Sequence, residues 1–227
     1  MAPALTKRLL EHLGDIPLYV MYGATEASAR LTYLPPERLR KDKLGSIGIP
    51  IPGVEVAVRD DQGRELGPGE IGNICATGPN IMRGYWQDPA ETELALKPWG
   101  LVTGDLGYRD EEGYFFLTGR KKEMLKIGGE RVSPKEIEDA IISSGMVHET
   151  AVIGHPDELL LEVPEAFIVP LDESAFTLDG LKNFLAERVA PHKMPRFWEI
   201  VKSIPKKPSG KIDKEALKER KEALGSK

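Results

Sequence analysis

The chemistry available to this 227-residue chain lies in its loops. Thr25 and Glu26, at the end of YGATE (22–26), set a hydroxyl donor beside a hard oxygen ligand of the kind Mg2+ takes. Asp105 closes TGD (103–105) with two acceptor oxygens, Arg120 follows in GRKK, and Lys211 ends PKKPSGK (205–211) as a point charge beside a glycine. Taken singly these are modest signals: a glycine loop is usually a turn, a Thr-Glu pair usually opens a helix, and a loop lysine is usually solvated. Lys211 does not end a phosphate loop of the GxxxxGK[ST] kind, because Ile212 follows it and Pro205 stands where the glycine-rich lead belongs. Redox and zinc chemistry are weaker still. Cys75 is the sole cysteine and sits in the apolar run NICAT, the setting of a small buried hydrophobe, and no disulfide within the chain is possible. His12, His148, His155 and His192 have no spacing that would put two on one helix face.

The elements that must position these residues are legible in the hydrophobic pattern. Leu5, Leu9 and Leu13 predict a short amphipathic helix ended by Gly14 and Asp15, and Leu18 to Tyr22 reads as a strand entering YGATE. From Gly45 to Thr118 the texture becomes short alternating runs, such as Val54, Val56 and Val58, cut by turns such as Asp61-Gln62-Gly63 and Gly67-Pro68-Gly69. A β-rich subdomain over 45–118 is expected. Beyond Gly119 the chain is mixed α/β. Ser133-Pro134-Lys135-Glu136 reads as a capping box opening the helix of Ile137, Ala140 and Ile141. Strands are expected at 150–153, 166–169 and 196–201, with a helix capped by Thr177 between the last two and a final helix capped by Asp213.

The order of the loops is more specific than any one of them. YGATE, GPNIMRGYW (78–86), TGD, GRKKEMLKIGGERVSPKEIE (119–138) and PKKPSGK follow one another as they do in the adenylate-forming superfamily, which this chain resembles over essentially its whole length. That group includes acyl-CoA synthetases, adenylation domains of peptide synthetases and beetle luciferases. The resemblance implies two reactions at one site: a carboxylate attacks the α-phosphate of ATP, giving an acyl-adenylate and pyrophosphate, and a thiol then displaces AMP. Both steps develop charge on oxygen, which calls for positioned donors, a metal and a cation.

On that resemblance, Tyr22 stacks on the purine and Gly23 lets the backbone approach the nucleotide. Thr25 donates to the α-phosphate, Glu26 ligates Mg2+, Asp105 accepts from both ribose hydroxyls, and Arg120 reaches the sugar or phosphate. An alternative for Asp105 and Arg120 is a structural ion pair. Lys122 falls where relatives carry an aspartate or lysine about which the small domain turns. Gly128 and Gly129 fall where the pantetheine arm of coenzyme A passes, although a plain turn also favours glycines there. Lys211 bridges the acyl carboxylate and the α-phosphate. The implied fold is α/β: residues 1–118 as the end of a large N-terminal domain, including a distorted barrel, and 119–227 as a small mobile domain. The family's upstream loop for the β- and γ-phosphates has no counterpart in residues 1–21, so the chain is expected to be a C-terminal part, inactive alone. Two smaller departures are Leu101-Val102 where an aromatic often precedes TGD, and Leu161-Glu162 where Gly-Glu usually follows the PDE turn.

PHKMPR (191–196) and the SPKEIE helix favour an acyl-CoA synthetase acting on a fatty or similarly apolar acid. The alternatives are an adenylation domain loading a carrier protein, and a non-catalytic subunit or binding module of a split enzyme that associates with an N-terminal half or with itself. The 31 basic and 36 acidic residues, net charge -5, argue against a nucleic-acid partner. No apolar run approaches the length of a membrane span, and the N-terminus has no signal-peptide pattern, so the expected location is the cytoplasm.

Overall fold

The computed structural model describes residues 2–225, with the side chains from 221 onward left aside. Two compact units divide the chain, one spanning Pro3–Lys122 and the other beginning at Glu123.

The first unit opens with α1 (Pro3–Leu13) and β1 (Val20–Tyr22), then a single 3-10 turn at Thr25–Ala27 and β2 (Thr32–Leu34). α2 (Pro36–Lys41), β3 (Ser46–Pro50), β4 (Glu55–Arg59), β5 (Gly72–Thr77), α3 (Pro89–Ala95), β6 (Leu96–Lys97), β7 (Gly100–Arg109) and β8 (Phe115–Arg120) complete it. Strand pairing runs β1-β2-β3-β8-β7-β5-β4 with β6 added to β7, an open path through the β-rich stretch. The alternation of Val54, Val56 and Val58 has its expected physical cause. All three face a core with Ile47, Ile74, Leu101 and Phe115, while Glu55 between them is exposed.

The second unit contains β9 (Leu125–Ile127), β10 (Glu130–Val132), α4 (Pro134–Ser143), β11 (Val147–Asp157), β12 (Leu161–Pro170), α5 (Leu178–Ala186), β13 (Phe197–Ile200) and α6 (Lys214–Gly225). Its sheet runs β10-β9-β12-β11, with β13 parallel to β12. The predicted strands at 150–153 and 166–169 are the middles of β11 and β12, and they read as unbroken apolar runs because both faces are covered. Val152, Ala166 and Ile168 pack with Ile137, Ile141, Leu181 and Leu185 of α4 and α5. Ala151, Ile153 and Phe167 face the other way, onto Leu217 of α6. Burying a side chain such as Phe167, fully enclosed here, is worth about 2–3 kcal/mol.

The caps divide. Thr177 accepts from the Gly180 amide at 3.3 Å and Asp213 from the Ala216 amide at 3.3 Å, as their positions predict. The capping box at Ser133 does not form: Ser133 makes no side-chain cap bond, and Glu136 instead takes Lys193 at 2.7 Å. An ion pair with the segment that follows α5 outcompetes the local reciprocal bond.

Candidate active site

In the first unit the candidate residues converge through the register of β7 and β8. Asp105 and Arg120 are direct cross-strand partners, so the ladder itself brings their side chains together, with Arg120 Nε donating to Asp105 Oδ1 at 3.0 Å. A bulge presents Asp105. Cys75 pairs with Val102 and Asn73 with Leu106, so that Thr103, Gly104 and Asp105 on β7 stand opposite Ile74 alone. Gly104 takes the extra turn at φ +78°, a left-handed conformation that suits glycine. The Thr103 hydroxyl donates to the Ile74 carbonyl at 2.9 Å and accepts from the Asp105 amide at 3.2 Å, closing the bulge.

Tyr22, at the end of β1, donates its hydroxyl to Asp105 Oδ2 at 2.7 Å. Burial, and then the Asp105 charge, push that phenol well above its ordinary range, so it serves as a donor and not as an acid. YGATE, TGD and GRKK, far apart in the chain, thus meet in a Tyr22–Asp105–Arg120 network. Each Asp105 oxygen holds one bond of the pair, and a carboxylate has capacity for further donors.

Gly23 is required by the chain's own backbone. A Cβ there would stand 2.1 Å from the Ala29 carbonyl oxygen, because the loop doubles back on itself through Ser28 (φ 47°) and Ala29 (φ 78°). Glu26 accepts from the Tyr85 hydroxyl at 2.6 Å. The Thr25 side chain is exposed at the start of the 3-10 turn. One carboxylate beside an exposed hydroxyl suits Mg2+, which takes one or two protein carboxylates and completes its shell with phosphate and water. Among the described residues no group of three or more His, Cys, Asp or Glu could hold a metal by itself, so any such ion would depend on the nucleotide for most of its ligands.

Lys122 ends the first unit, exposed, in the short turn Lys121–Glu123. In the second unit, Gly128 (φ 56°) and Gly129 (φ 90°) are the two central residues of the β9–β10 hairpin, between the paired Ile127 and Glu130. Two successive left-handed residues are what a tight hairpin turn of this twist demands. Lys211 is exposed in a loop closed by the Lys206–Ile212 bridge, with Gly210 at φ 80° and the Lys207 amide bonded to the Lys211 carbonyl at 2.8 Å. Its neighbours are paired, Lys206 with Glu149, Lys207 with Glu215 and Lys214 with Glu138, but Lys211 has no carboxylate partner among the described residues.

Sequence reasoning passed over the contribution of GPNIMRGYW, whose Asn80 and Tyr85 bond to the YGATE loop. The available signal was a hydroxyl and an amide inside a motif already singled out by its order.

Shared register, bulge and loop bring Tyr22, Asp105 and Arg120 together in one unit, while the other carries a loop lysine with no carboxylate partner among the described residues. Comparison with known proteins supplies the family. The family model for AMP-binding enzymes matches residues 1–86, and that for the AMP-binding enzyme C-terminal domain matches 136–211. A long-chain-fatty-acid–CoA ligase of Bacillus subtilis is 36% identical over 96% of this chain and 39% of its own length. A fatty acid–[acyl-carrier-protein] ligase of Streptomyces coeruleorubidus is 37% identical over 91% of this chain and 40% of its own. The o-succinylbenzoate CoA synthetase of Bacillus subtilis, solved with its acyl-adenylate intermediate, superposes with a TM-score of 0.87 at 30% identity, over 96% of this chain and 44% of that one. The chain belongs to the adenylate-forming, AMP-binding enzyme family, and it spans about two fifths of the length of the curated relatives it matches. No described helix is long and apolar enough to cross a membrane.

Proposed function

We propose that this chain is part of an AMP-forming acid–thiol ligase that joins a carboxylic acid, fatty or similarly apolar, to coenzyme A at the expense of ATP. The observation that carries the reading is the Tyr22–Asp105–Arg120 network, which gathers three family motifs around one carboxylate. In this reading Asp105 accepts from the ribose hydroxyls with its remaining acceptor capacity, while Arg120 and Tyr22 fix its plane and Tyr22 offers its ring to the purine. Thr25 donates to the α-phosphate. Mg2+, held in part by Glu26, would neutralise phosphate charge.

Lys211, exposed and without a carboxylate partner among the described residues, is the cation assigned to the acyl carboxylate and the α-phosphate in the first half reaction. Residues 1–118 are read as the end of the family's large domain, and 119–227 as its small domain, turning at Lys122 for the thiol step. Gly128 and Gly129, lacking side chains, leave room for the pantetheine arm. The first half reaction also needs a hold on the β- and γ-phosphates, which in this reading is contributed by further polypeptide. The chain on its own is then expected to bind nucleotide but not to turn over.

Acid-dependent exchange of pyrophosphate into ATP, and thioester formation from supplied acyl-adenylate, test the reading in the completed enzyme. Lys211→Ala should abolish the first and spare the second; equal loss of both would remove Lys211 from the assigned role. A second acceptor, the thiol of a carrier protein, is favoured by the 37% identical Streptomyces carrier-protein ligase. Free coenzyme A and a phosphopantetheinyl carrier, offered in parallel, decide between them.

A further inference from the structure

The segment GPNIMRGYW holds the loop that presents Thr25 and Glu26. That loop needs holding, because Ser28 and Ala29 both lie in the left-handed region, where a non-glycine residue costs about 1–3 kcal/mol and persists only when its surroundings over-determine it. The Met82 amide donates to the Glu26 carbonyl at 2.7 Å. The Ser28 hydroxyl donates to the Asn80 carbonyl at 3.0 Å. Asn80 Nδ2 donates to the carbonyls of Ala27 at 3.0 Å and Arg30 at 2.8 Å. Its Oδ1 is buried without a hydrogen bond among the described residues, so the amide is placed for its donors.

Tyr85 completes the set by donating to Glu26 Oε1 at 2.6 Å. The tyrosine is itself anchored: its amide donates to Thr92 Oγ1 at 2.8 Å, and Thr92 lies in α3, whose first turn is capped by Asp88 through the Glu91 amide at 3.0 Å. A phenol is a neutral O–H donor, and here it points at the Glu26 carboxylate. A neutral donor on one oxygen orients a carboxylate without cancelling its charge, which is the usual means of fixing a metal ligand from outside its coordination sphere.

We propose that Tyr85 is a positioning residue that sets the orientation in which Glu26 meets a metal–nucleotide, with Asn80 holding the loop beneath it. The proposal rests on the assignment of Glu26 as the metal-binding carboxylate. Mn2+ binding to this chain, followed by electron paramagnetic resonance with a non-hydrolysable ATP analogue present, reads the site without turnover. Tyr85→Phe should weaken Mn2+ binding about 10-fold or more while leaving metal-free analogue binding unchanged, and Glu26→Gln should remove the metal-dependent part altogether. In the ligand-free protein, Asn80→Ala should speed amide exchange at Ala27, Ala29 and Leu31 by about 30-fold, through loss of two bonds worth roughly 1 kcal/mol each. Wild-type Mn2+ affinity in Tyr85→Phe, with affinity lost in Glu26→Gln, would overturn the role of Tyr85 and leave the metal assignment standing. An indifferent Glu26→Gln, or a wild-type protein whose analogue binding ignores Mn2+, would overturn the metal assignment and the proposal with it. Unchanged exchange in Asn80→Ala would overturn the holding role of Asn80.

Discussion

The two units carry their candidate side chains in opposite ways. In the first, Tyr22, Glu26, Asp105 and Arg120 are all tied to one another or to neighbouring loops. In the second, Lys211 stands exposed beside lysines that are each paired with a carboxylate. A tied residue is pre-organised, and changing it disturbs the fold as well as any ligand; an untied one can be changed with little effect on stability. The difference suits the proposed division of labour, in which one unit grips a nucleotide in a fixed pose and the other brings up a point charge.

Gly23→Ala should cause the largest disturbance, because the added Cβ meets the Ala29 backbone and not a flexible side chain. A loss of about 2–4 kcal/mol is expected by denaturant titration. Gly129→Ala, with open space around its Cβ but φ at 90°, incurs only backbone strain, about 1–2 kcal/mol. If the two glycines proved equally replaceable, the contrast between a fold-enforced and a turn-enforced glycine would fail. Tyr22→Phe removes a bond to a charged acceptor while Arg120 still pairs with Asp105, and about 1–2 kcal/mol should be lost. Lys211→Ala should change stability by less than about 0.5 kcal/mol.

Acid should also tell the units apart. In the first, hydrogen bonds from Lys43 and Arg38 hold the Glu112 carboxyl below its ordinary range. Burial works to raise Asp110, but Lys43 and the Tyr114 amide outweigh it and keep it low as well. In the second, the amides of Leu160 and Leu159 lower Asp157. Depressed carboxyls stabilise the fold above their ordinary values, 3.8 for aspartate and 4.5 for glutamate, and that contribution fades as pH falls through the lowered ones. Ion pairs are screened by salt and backbone bonds much less so. Acid destabilisation, followed by amide exchange in each unit, should therefore depend on ionic strength in the first unit more than in the second.

Much of this was legible in the chain. The alternating valines and the caps at Thr177 and Asp213 follow from local periodicity and side-chain chemistry, and the motif order carried the family. What escaped depends on distant partners. The box at Ser133 has every local requirement and yields to Lys193, beyond α5. Gly23 meets the Ala29 backbone after a reversal that no pattern in ATEASAR announces. Tyr85 and Glu26 lie 59 residues apart, and nothing in either motif indicates that they touch.

Calorimetric titration of AMP into this chain, beside Asp105→Asn with its fold checked by circular dichroism, tests most directly whether the first unit holds a formed nucleotide grip. Weak binding to the wild type, reduced about tenfold or more in the variant, is the predicted result; no binding at all, or equal affinity in the two proteins, would contradict the account.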